Sequence, residues 1–252
     1  MHKLQPVTGN SCDPPSAVVI DTLRFTTTAC RALELGARSL QVATTVEQAR
    51  RLAANMSPNP LLCGERHCHK IEGFDLGNSP YDYTREHVHD RELVFTTTNG
   101  TVAIAAVQHL PCIALAALVN RQAICQQLLD NQTGDVAIVC AGTDGQLTWE
   151  DVLTAGAIVD LLSTSQNMVL GHDTALLAQA AWQATHNRVN GHSQLTSQLF
   201  TELSRSVGGR NLLAAGYERD LHFAAQLDTI DIVPQNSTAQ PHVFTAAKFA
   251  KA

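Results

Sequence analysis

Short apolar runs alternate along the chain with stretches whose apolar residues recur at helical spacing. The run Ala17–Ile20 is continuous and short, which is typical of a buried strand. The predicted strands are Ala17–Ile20, Leu40–Ala43, Leu61–Cys63, Leu93–Phe95, Cys112–Leu118 and Val136–Cys140. The predicted helices between them are Thr28–Ala37, Val46–Asn55, Thr101–Gln108 and Arg121–Asp130. This order predicts an α/β fold in which helices cover both faces of a mainly parallel sheet.

The same βαβαβ order occurs twice, over residues 17–65 and 93–145. A triple threonine follows the first strand of each half, as Thr26–Thr28 and Thr96–Thr98. The third strand of each half ends in a cysteine and a glycine-bearing acidic loop, CGER and CAGTDG. Any βαβαβ protein shows such a rhythm, but the duplicated threonines favour a true internal repeat.

The C-terminal third, residues 148–233, has a helical pattern. Its predicted helices are Asp151–Ser163, Asp173–His186, Ser193–Ser206 and Tyr217–Leu227. Thr148 and Asp151 match a capping box for the first of them. A last strand is expected at Thr229–Val233 and a loose polar tail from Pro234. Because no linker composition divides the chain, residues 1–252 are predicted to form a single α/β unit.

Composition narrows the function classes. The net charge is -6 and no lysine- or arginine-rich run occurs, so nucleic acid is not expected as a partner. The chain contains no run of about 18 apolar residues, so no membrane span is expected. Seven scattered cysteines favour reduced thiols in a cytoplasmic protein. The oligomeric state is left open, a homo-oligomer included.

Ligands of open parallel sheets bind beyond the carboxyl ends of the strands. Those loops contain hydroxyls, glycines and carboxylates, as in Asp21–Thr28, Thr96–Thr101 and Ala141–Gly145. Hydroxyls and backbone N–H groups at helix N-termini bind phosphate oxygens, and carboxylates bind Mg²⁺. The pattern therefore predicts a phosphate site with a hard metal, although a single triple threonine is as typical of a helix cap.

The stretch LLCGERHCHKIEGFDLGNSP (residues 61–80) is the most concentrated run of polar side chains. Its cysteines and histidines lack the paired spacing of a structural zinc site. Glu65 and Asp75 are better candidates for metal binding or proton transfer. The turn at Gly77–Pro80 is also suited to present N–H groups to an anion.

Two further clusters contain ionisable groups. Glu150 and Asp151 open a predicted helix, where they act either as favourable charges for the helix dipole or as functional carboxylates. Glu218 and His222 lie four residues apart on one helix, with Arg219 between them. That second cluster is either a solvated, salt-bridged turn or part of the site.

Five blocks in order resemble the 2-phosphosulfolactate phosphatase family: VVIDTLRFTTT, CGERHCHKIEGFDLGNSP, TTTNGT, CAGTDG-x4-EDVLTAGAIV and AGYERDLHFAAQLD. The resemblance implies a three-layer α/β/α fold and a Mg²⁺-dependent phosphomonoesterase. The implied reaction converts (2R)-2-phospho-3-sulfolactate to 3-sulfolactate and phosphate, a step of coenzyme M biosynthesis. The family motifs contain Asp21, Arg24, Glu65, Asp75, Asn99, Asp144, Glu150, Asp151 and Arg219.

The mechanism expected from residues and resemblance together has three groups of side chains. Catalytic groups are expected at Asp21, Glu65, Asp151 and His222. Ligands of Mg²⁺ are expected at Asp21, Glu65, Asp75, Asp144 and Asp151. Substrate-binding groups are expected at Arg24, Thr26, Thr27, Thr28, Thr97, Thr98, Asn99, Gly100, Thr101 and Arg219.

Two alternatives stay open at this stage. One is a phosphatase for another small phosphorylated hydroxy acid, because the sequence does not identify the remote group of the substrate. The other is a non-catalytic sensor that binds a phosphoanion. A phospho-aspartyl mechanism is disfavoured, since the run Asp21-Thr22-Leu23-Arg24 lacks the second aspartate of haloacid-dehalogenase phosphatases.

Overall fold

The computed structural model describes residues 2–6, 16–131, 134–165, 168–189, 191–237 and 239–247. Within them the sheet has the strand order β5-β4-β6-β3-β11-β10-β7-β2-β8-β1-β9. The strands are β1 (His2–Pro6), β2 (Ser16–Ile20), β3 (Ser39–Val42), β4 (Leu61–Arg66), β5 (His69–Lys70), β6 (Glu92–Thr96), β7 (Cys112–Ala116), β8 (Val136–Cys140), β9 (Met168–Leu170), β10 (Val233–Ser237) and β11 (Gln240–Ala247).

Helices connect most of these strands. They are α1 (Phe25–Glu34), α2 (Val46–Ala54), α3 (Arg85–Val88), α4 (Gly100–Val107), α5 (Arg121–Asp130), α6 (Trp149–Ser163), α7 (Asp173–His186), α8 (His192–Arg205), α9 (Val207–Ala214) and α10 (Glu218–Ala224). No helix of the described residues is long and apolar enough to cross a membrane. The cytoplasmic location stays a prediction.

The six predicted strands are all present and form two parallel groups of three. One group is β4-β6-β3 and the other is β7-β2-β8. In each group the central strand, β6 or β2, belongs to one half of the sequence and its two neighbours belong to the other half. The two groups therefore have the same arrangement, and each half of the sequence contributes its first strand to the centre of the group formed by the other half. The internal repeat that the sequence favoured stays a prediction, and this arrangement supports it.

The hairpin of β10 and β11 joins the two groups, and it corrects the prediction of a loose tail from Pro234. β11 pairs with β3, and β10 pairs with β7, all antiparallel. Proline and polar residues concealed these strands, although Asn236 is buried and its Oδ1 accepts a hydrogen bond from the N–H of Ile113 (2.7 Å). The strand expected at Thr229–Val233 was wrong, because β10 only begins at Val233.

The three antiparallel pairings across this hairpin make the two parallel groups run in opposite directions. A flat sheet would place their carboxyl ends at opposite edges. The sheet must therefore twist and curl between the groups, as sheets of many strands do, to bring those ends together. The parallel expectation holds for the six predicted strands, whereas the whole sheet is mixed because β1, β5, β9, β10 and β11 pair antiparallel.

The core lies on both faces of the sheet. Ala17 and Val19 pack in one apolar cluster with α1 and α4, whereas Val18 and Ile20 pack in another with α5 and α6. A strand buried on both faces needs the continuous apolar run that identified it in the sequence. The α/β class, with helices on both sides of a central sheet in three layers, is confirmed.

The C-terminal third is helical but contains one strand that the sequence pattern did not predict, β9, at the edge of the sheet. The thiols of the described cysteines are free, which agrees with the expectation of reduced cysteines. Cys12 lies outside the described residues.

Candidate active site

A cavity with a volume of about 140 Å³ opens where the carboxyl ends of β2, β4, β6 and β8 meet. Its lining residues are Asp21, Leu23, Arg24, Glu65, His67, Cys68, Asn78, Thr98, Asn99, Thr143, Asp144, Gly208, Asn211 and Leu212.

Asp21 follows directly after the central strand β2 and lines the cavity while being only 8% exposed. The Thr26 hydroxyl accepts a hydrogen bond from the Asp21 N–H (3.1 Å) and donates one to its carbonyl (2.9 Å), which closes the loop. On the opposite side, a Cβ added to Gly100 would lie 2.5 Å from Asp21 Oδ2. Glycine at position 100 therefore lets the second loop approach the Asp21 carboxylate.

Glu65 lies at the end of β4 and is buried. Its Oε1 accepts a hydrogen bond from the N–H of Thr98 (2.8 Å), and its Oε2 accepts one from the N–H of Cys68 (3.0 Å). The carboxylate thus fixes two segments of the cavity wall.

Asp151 does the same on the other side. It accepts hydrogen bonds from the N–H groups of Thr22 (2.9 Å) and Gly142 (2.8 Å). The predicted capping box with Thr148 was wrong, because the Asp151 side chain points across to β2 and β8, and the Thr148 hydroxyl has no partner. An acidic residue in the first turn of a helix can either cap that helix or hydrogen-bond to other loops, and the sequence pattern is the same in both cases.

Burial and mutual repulsion disturb the protonation of these acids. Burial raises the pKa of Asp21 well above its ordinary value, and the charges of Asp151, Glu65 and Glu150 raise it further, although a hydrogen bond from the Phe25 N–H opposes this. Burial and the charge of Glu150 raise the pKa of Asp151 to about 7, against hydrogen bonds from Thr22 and Gly142. Because these neighbouring carboxylates repel one another, they do not all ionise readily. A bound cation would reduce that repulsion.

The buried carboxylates provide the hard oxygen ligands that Mg²⁺ prefers. Among the residues that the structure describes, the Oε2 atom of buried Glu150 has no hydrogen-bond partner. Among the described residues, no three His, Cys, Asp or Glu side chains converge to hold an ion between them. Mg²⁺ needs only one or two carboxylates when water and substrate oxygens complete its shell. The residues fit such a partly open site at Asp21, and they do not form the five-carboxylate set expected from the sequence.

Arg24 is the only lysine or arginine among the described residues that line the cavity. It is 4% exposed, and its guanidinium donates to Asp220 Oδ2 (2.9 Å) and to the carbonyl of Cys68 (2.6 Å). The guanidinium carbon also lies 4.3 Å from the centre of the Tyr217 ring. A buried arginine held at three points supplies a fixed positive group to the cavity wall.

The histidine- and cysteine-rich stretch forms a tight hairpin rather than a zinc site. β4 and β5 pair with Arg66 opposite His69, so His67 and Cys68 form a two-residue turn. Both residues have positive φ angles (51° and 69°), which glycine or asparagine usually adopts in such turns. Glu65 accepts from the Cys68 N–H and Arg24 donates to its carbonyl, so the site itself holds the turn in place.

The first triple threonine was expected to bind substrate, and the structure places it away from the cavity lining. Thr26, Thr27 and Thr28 are buried inside α1 and do not line the cavity. Their hydroxyls donate to the carbonyls of Asp21, Thr22 and Asn78, respectively. They shape the loops that form the site and are not free to bind phosphate.

The second triple threonine divides between two roles. Thr97 and Thr101 hydrogen-bond to each other and close the loop, and neither lines the cavity; their role in substrate binding stays a prediction. Thr98 and Asn99 line the cavity, and the Thr98 hydroxyl has no hydrogen-bond partner within the described part of the chain. Asn99 precedes α4 without making a side-chain cap, so its amide is available to a ligand.

The structure does not bring three other predicted residues to the cavity. His222 is exposed and stacks on Phe200, with ring centroids 3.9 Å apart. Arg219 is exposed and lies over the Tyr81 ring (4.3 Å). Asp75 is exposed and accepts a hydrogen bond from the Leu62 N–H. Their expected roles as proton carrier, substrate ligand and metal ligand stay predictions that this placement does not support.

Asp144 does line the cavity, but it is exposed at the rim. It adopts a positive φ of 51° in the loop after β8. That position suits contact with a bound ligand better than a buried metal shell.

Sequence reasoning missed several contributors. Asn78 lines the cavity, and Asp220 holds Arg24. Gly208 and Asn211 of α9 complete the wall. The only available signals were the polar turn at Gly77–Pro80 and the charged run that contains Asp220; nothing in the local pattern around Gly208 indicated a site.

Comparison with known proteins assigns this chain to a family. The family model described as 2-phosphosulpholactate phosphatase matches residues 3–238. A protein of a Synechococcus strain named "Probable 2-phosphosulfolactate phosphatase" is 37% identical over 236 residues, covering 92% of each chain. Proteins of the same name from Microcystis aeruginosa and Deinococcus radiodurans are 37% and 40% identical over 223 residues, covering 87–88% of each chain. The chain belongs to the 2-phosphosulfolactate phosphatase family.

Proposed function

We propose that this protein hydrolyses the phosphomonoester of (2R)-2-phospho-3-sulfolactate, with Mg²⁺, to 3-sulfolactate and phosphate. Membership of the family makes it a hydrolase of phosphoric monoesters. The sulfonated substrate, the metal and a place in coenzyme M biosynthesis are the finer parts of the proposal.

One observation supports the proposal most strongly: a small cavity is lined by two buried acids, Asp21 and Glu65, and by a fixed arginine. Burial raises the pKa of Asp21, and the charge of a further buried acid, Asp151, raises it more. Buried carboxylates at such a density disfavour a simple anion sensor, because they would repel a phosphoanion unless a cation were bound between them.

The residues that would hold Mg²⁺ are Asp21 and one neighbouring carboxylate, Glu65 or Asp151. When bound, the ion neutralises charge on the phosphoryl oxygens and lowers the pKa of its water. Glu65 and Asp151 also hold the backbone at Thr98 and Thr22 in fixed positions. These contacts orient the two loops before any substrate arrives, so no reorganisation is needed during the reaction.

The phosphoryl group is expected to bind between Asp21 and the Thr98–Asn99 corner. There the Thr98 hydroxyl, the Asn99 amide and the N-terminus of α4 offer hydrogen-bond donors. A carboxyl with a pKa near neutrality is suited to exchange a proton with water or with the leaving alkoxide. Asp151 has that property, and its charge acts on Asp21, which lines the cavity.

Phosphate release tests the proposal directly. Purified protein is assayed with 2-phospho-3-sulfolactate, phosphoglycolate and 2-phospholactate, each with Mg²⁺ and with EDTA. The expected result is Mg²⁺-dependent release with a clear preference for the sulfonated compound. Equal release from all three would keep the phosphatase and remove the sulfonate assignment; binding without release would favour the sensor.

A further inference from the structure

The charged network behind Arg24 extends beyond the residues discussed so far. Asp220, at 2% exposure, uses both of its carboxylate oxygens. Oδ2 accepts from Arg24 (2.9 Å), and Oδ1 accepts from the hydroxyl of Ser79 (2.6 Å). Three segments that are distant in sequence, the loop after β2, the turn at Gly77–Pro80 and α10, therefore meet at one carboxylate.

Asn78 adds an unexplained group to the same wall. It is 4% exposed and lines the cavity, yet its side-chain oxygen has no hydrogen-bond partner among the described residues. A buried amide oxygen without a partner costs free energy unless a ligand or a turn of the amide completes it. A sulfonate only accepts hydrogen bonds, so the amide would contact it through its NH₂ group. Because Asn78 directly precedes Ser79, the contact with Asp220 fixes Asn78 close to Arg24.

The lining of the cavity contains groups of both signs: the carboxylates of Asp21 and Glu65 and the guanidinium of Arg24. 2-Phospho-3-sulfolactate carries three anionic groups, which are the phosphoryl group, the carboxylate and the sulfonate. The reacting phosphoryl group is best accommodated at the carboxylates together with a cation. Arg24 and Asn78 are then left for an anion that does not react.

We propose that Arg24 and Asn78 form a subsite for the non-reacting sulfonate of the substrate, and that Asp220 and Ser79 position Arg24 for it. The inference deepens the proposed function and rests on it. Asp220 offsets most of the guanidinium charge, so recognition depends on directed hydrogen bonds to sulfonate oxygens. Asp220 and Ser79 are positioning residues, because they act through Arg24 and do not touch the substrate.

The test compares two substrates that differ only in the sulfonate, 2-phospho-3-sulfolactate and 2-phospholactate. Asp220→Asn is expected to lower kcat/KM for the sulfonated substrate by about tenfold or more, mainly through KM, as for loss of a charged hydrogen bond. It should change the value for 2-phospholactate by less than about threefold. Ser79→Ala, which keeps the carboxylate, should shift the same preference in the same direction by a smaller factor.

The chain offers a matched control. Asp228 pairs with Arg121 (2.5 Å) and accepts a second bond from the Gln122 N–H (2.7 Å), but it does not line the cavity. Asp228→Asn removes a comparable ion pair, so it should lower stability without changing the preference between the two substrates. Circular dichroism of each variant reports whether it is folded, and Ser79→Ala carries the test if Asp220→Asn is not.

Two outcomes overturn the subsite. An equal loss on both substrates would mean that Arg24 holds a group they share, the phosphoryl group or the carboxylate, and no loss on either would mean that Asp220 does not act through Arg24. If the wild-type protein hydrolyses neither substrate, the proposed function fails instead. Calorimetric binding of 3-sulfolactate to wild-type and Asp220→Asn protein would then decide the subsite alone: weaker binding by the variant supports it, and equal affinity or no binding overturns it.

Discussion

The loops that follow the two central strands, β2 and β6, are built alike but carry different chemistry. Each is closed by a threonine hydroxyl that accepts from the first N–H of the loop: Thr26 from Asp21 (3.1 Å) and Thr101 from Thr97 (3.3 Å). Each then presents its second N–H to a buried carboxylate. The second pair of contacts is Thr22 with Asp151 and Thr98 with Glu65.

The difference lies at the first residue of each loop. In the β2 loop this position is Asp21, whereas in the β6 loop it is Thr97. Only the first loop therefore places an acid at the centre of the cavity, and the second loop supplies the hydroxyl of Thr98 and the amide of Asn99. The two loops have equivalent backbone arrangements. The β2 loop provides a charged side chain, and the β6 loop provides uncharged hydrogen-bonding groups.

The comparison also shows that the two triple threonines are not equivalent. The first lies within α1, after Arg24, and the second begins at the last residue of β6. The structural counterparts are Thr26 and Thr101, which close the loops. Identical residue runs in the two halves of a repeat therefore do not mark equivalent structural positions when one loop has an insertion.

The close approach of the two loops gives the largest expected effect. Gly100→Ala would place a methyl group 2.5 Å from Asp21 Oδ2 and 2.6 Å from the Phe25 ring, so the loops must separate. A displacement of about 1 Å at a catalytic group costs about 100-fold in turnover. Phosphate-release assays should show a loss of at least that size.

Val102→Ala is the control for this change. Val102 is in the same helix and is 53% exposed, so shortening it should leave turnover close to wild type. Wild-type turnover in Gly100→Ala would show that the contact between the loops is not needed.

The buried acids Asp21 and Asp151 should make the stability of the metal-free protein depend on pH. Folding raises the pKa of Asp151 to about 7, and also raises that of Asp21. The stabilisation from burying these acids in neutral form is complete below the unfolded pKa of about 3.9 and is lost as pH rises through the folded pKa values. Urea unfolding in EDTA should give a free energy lower at pH 8 than at pH 5, on the order of 2 kcal/mol.

Asp151→Asn should reduce that difference, and Mg²⁺ should reduce it in the wild-type protein by stabilising the ionised acids. A free energy of unfolding that rises from pH 5 to pH 8 in EDTA would contradict the raised pKa values.

The smallest expected effects separate the two triple threonines. Thr98→Val removes a buried hydroxyl without a partner, so stability should not fall while kcat/KM falls about tenfold, the size of one hydrogen bond to a charged ligand. Thr27→Val removes a bond to the carbonyl of Thr22 (3.0 Å), so the free energy of unfolding should fall by about 1 kcal/mol with little change in kcat/KM. The opposite pattern would reverse the roles assigned to the two runs.

The sequence indicated the parts of the molecule that depend on local patterns. The six parallel strands follow from continuous apolar runs, and Asp21, Glu65 and Thr98 follow from their places at strand ends. The β10–β11 hairpin did not follow, because its burial depends on pairing with strands distant in sequence and not on its own polar composition. The opposite directions of the two parallel groups depend on that hairpin, so they too were beyond a local pattern.

The same limit applies to side-chain partners. The role of Asp220 depends on Arg24 and Ser79, which are 196 and 141 residues away. His222 and Arg219 matched favourable local spacing but turn to Phe200 and Tyr81, and they do not line the cavity. Residue type and spacing indicated the chemistry of the site, whereas the fold was needed to determine which residues form it.

The central claim is that Asp21 supplies the charge on which the reaction depends, and its most direct test is the turnover of Asp21→Asn. Phosphate release from 2-phospho-3-sulfolactate with Mg²⁺ is measured beside wild type and beside Thr97→Val, the matched position of the second loop. Turnover is predicted to fall by orders of magnitude in Asp21→Asn, with an unchanged circular dichroism spectrum, and to persist in Thr97→Val. Near-wild-type turnover of folded Asp21→Asn would contradict the account.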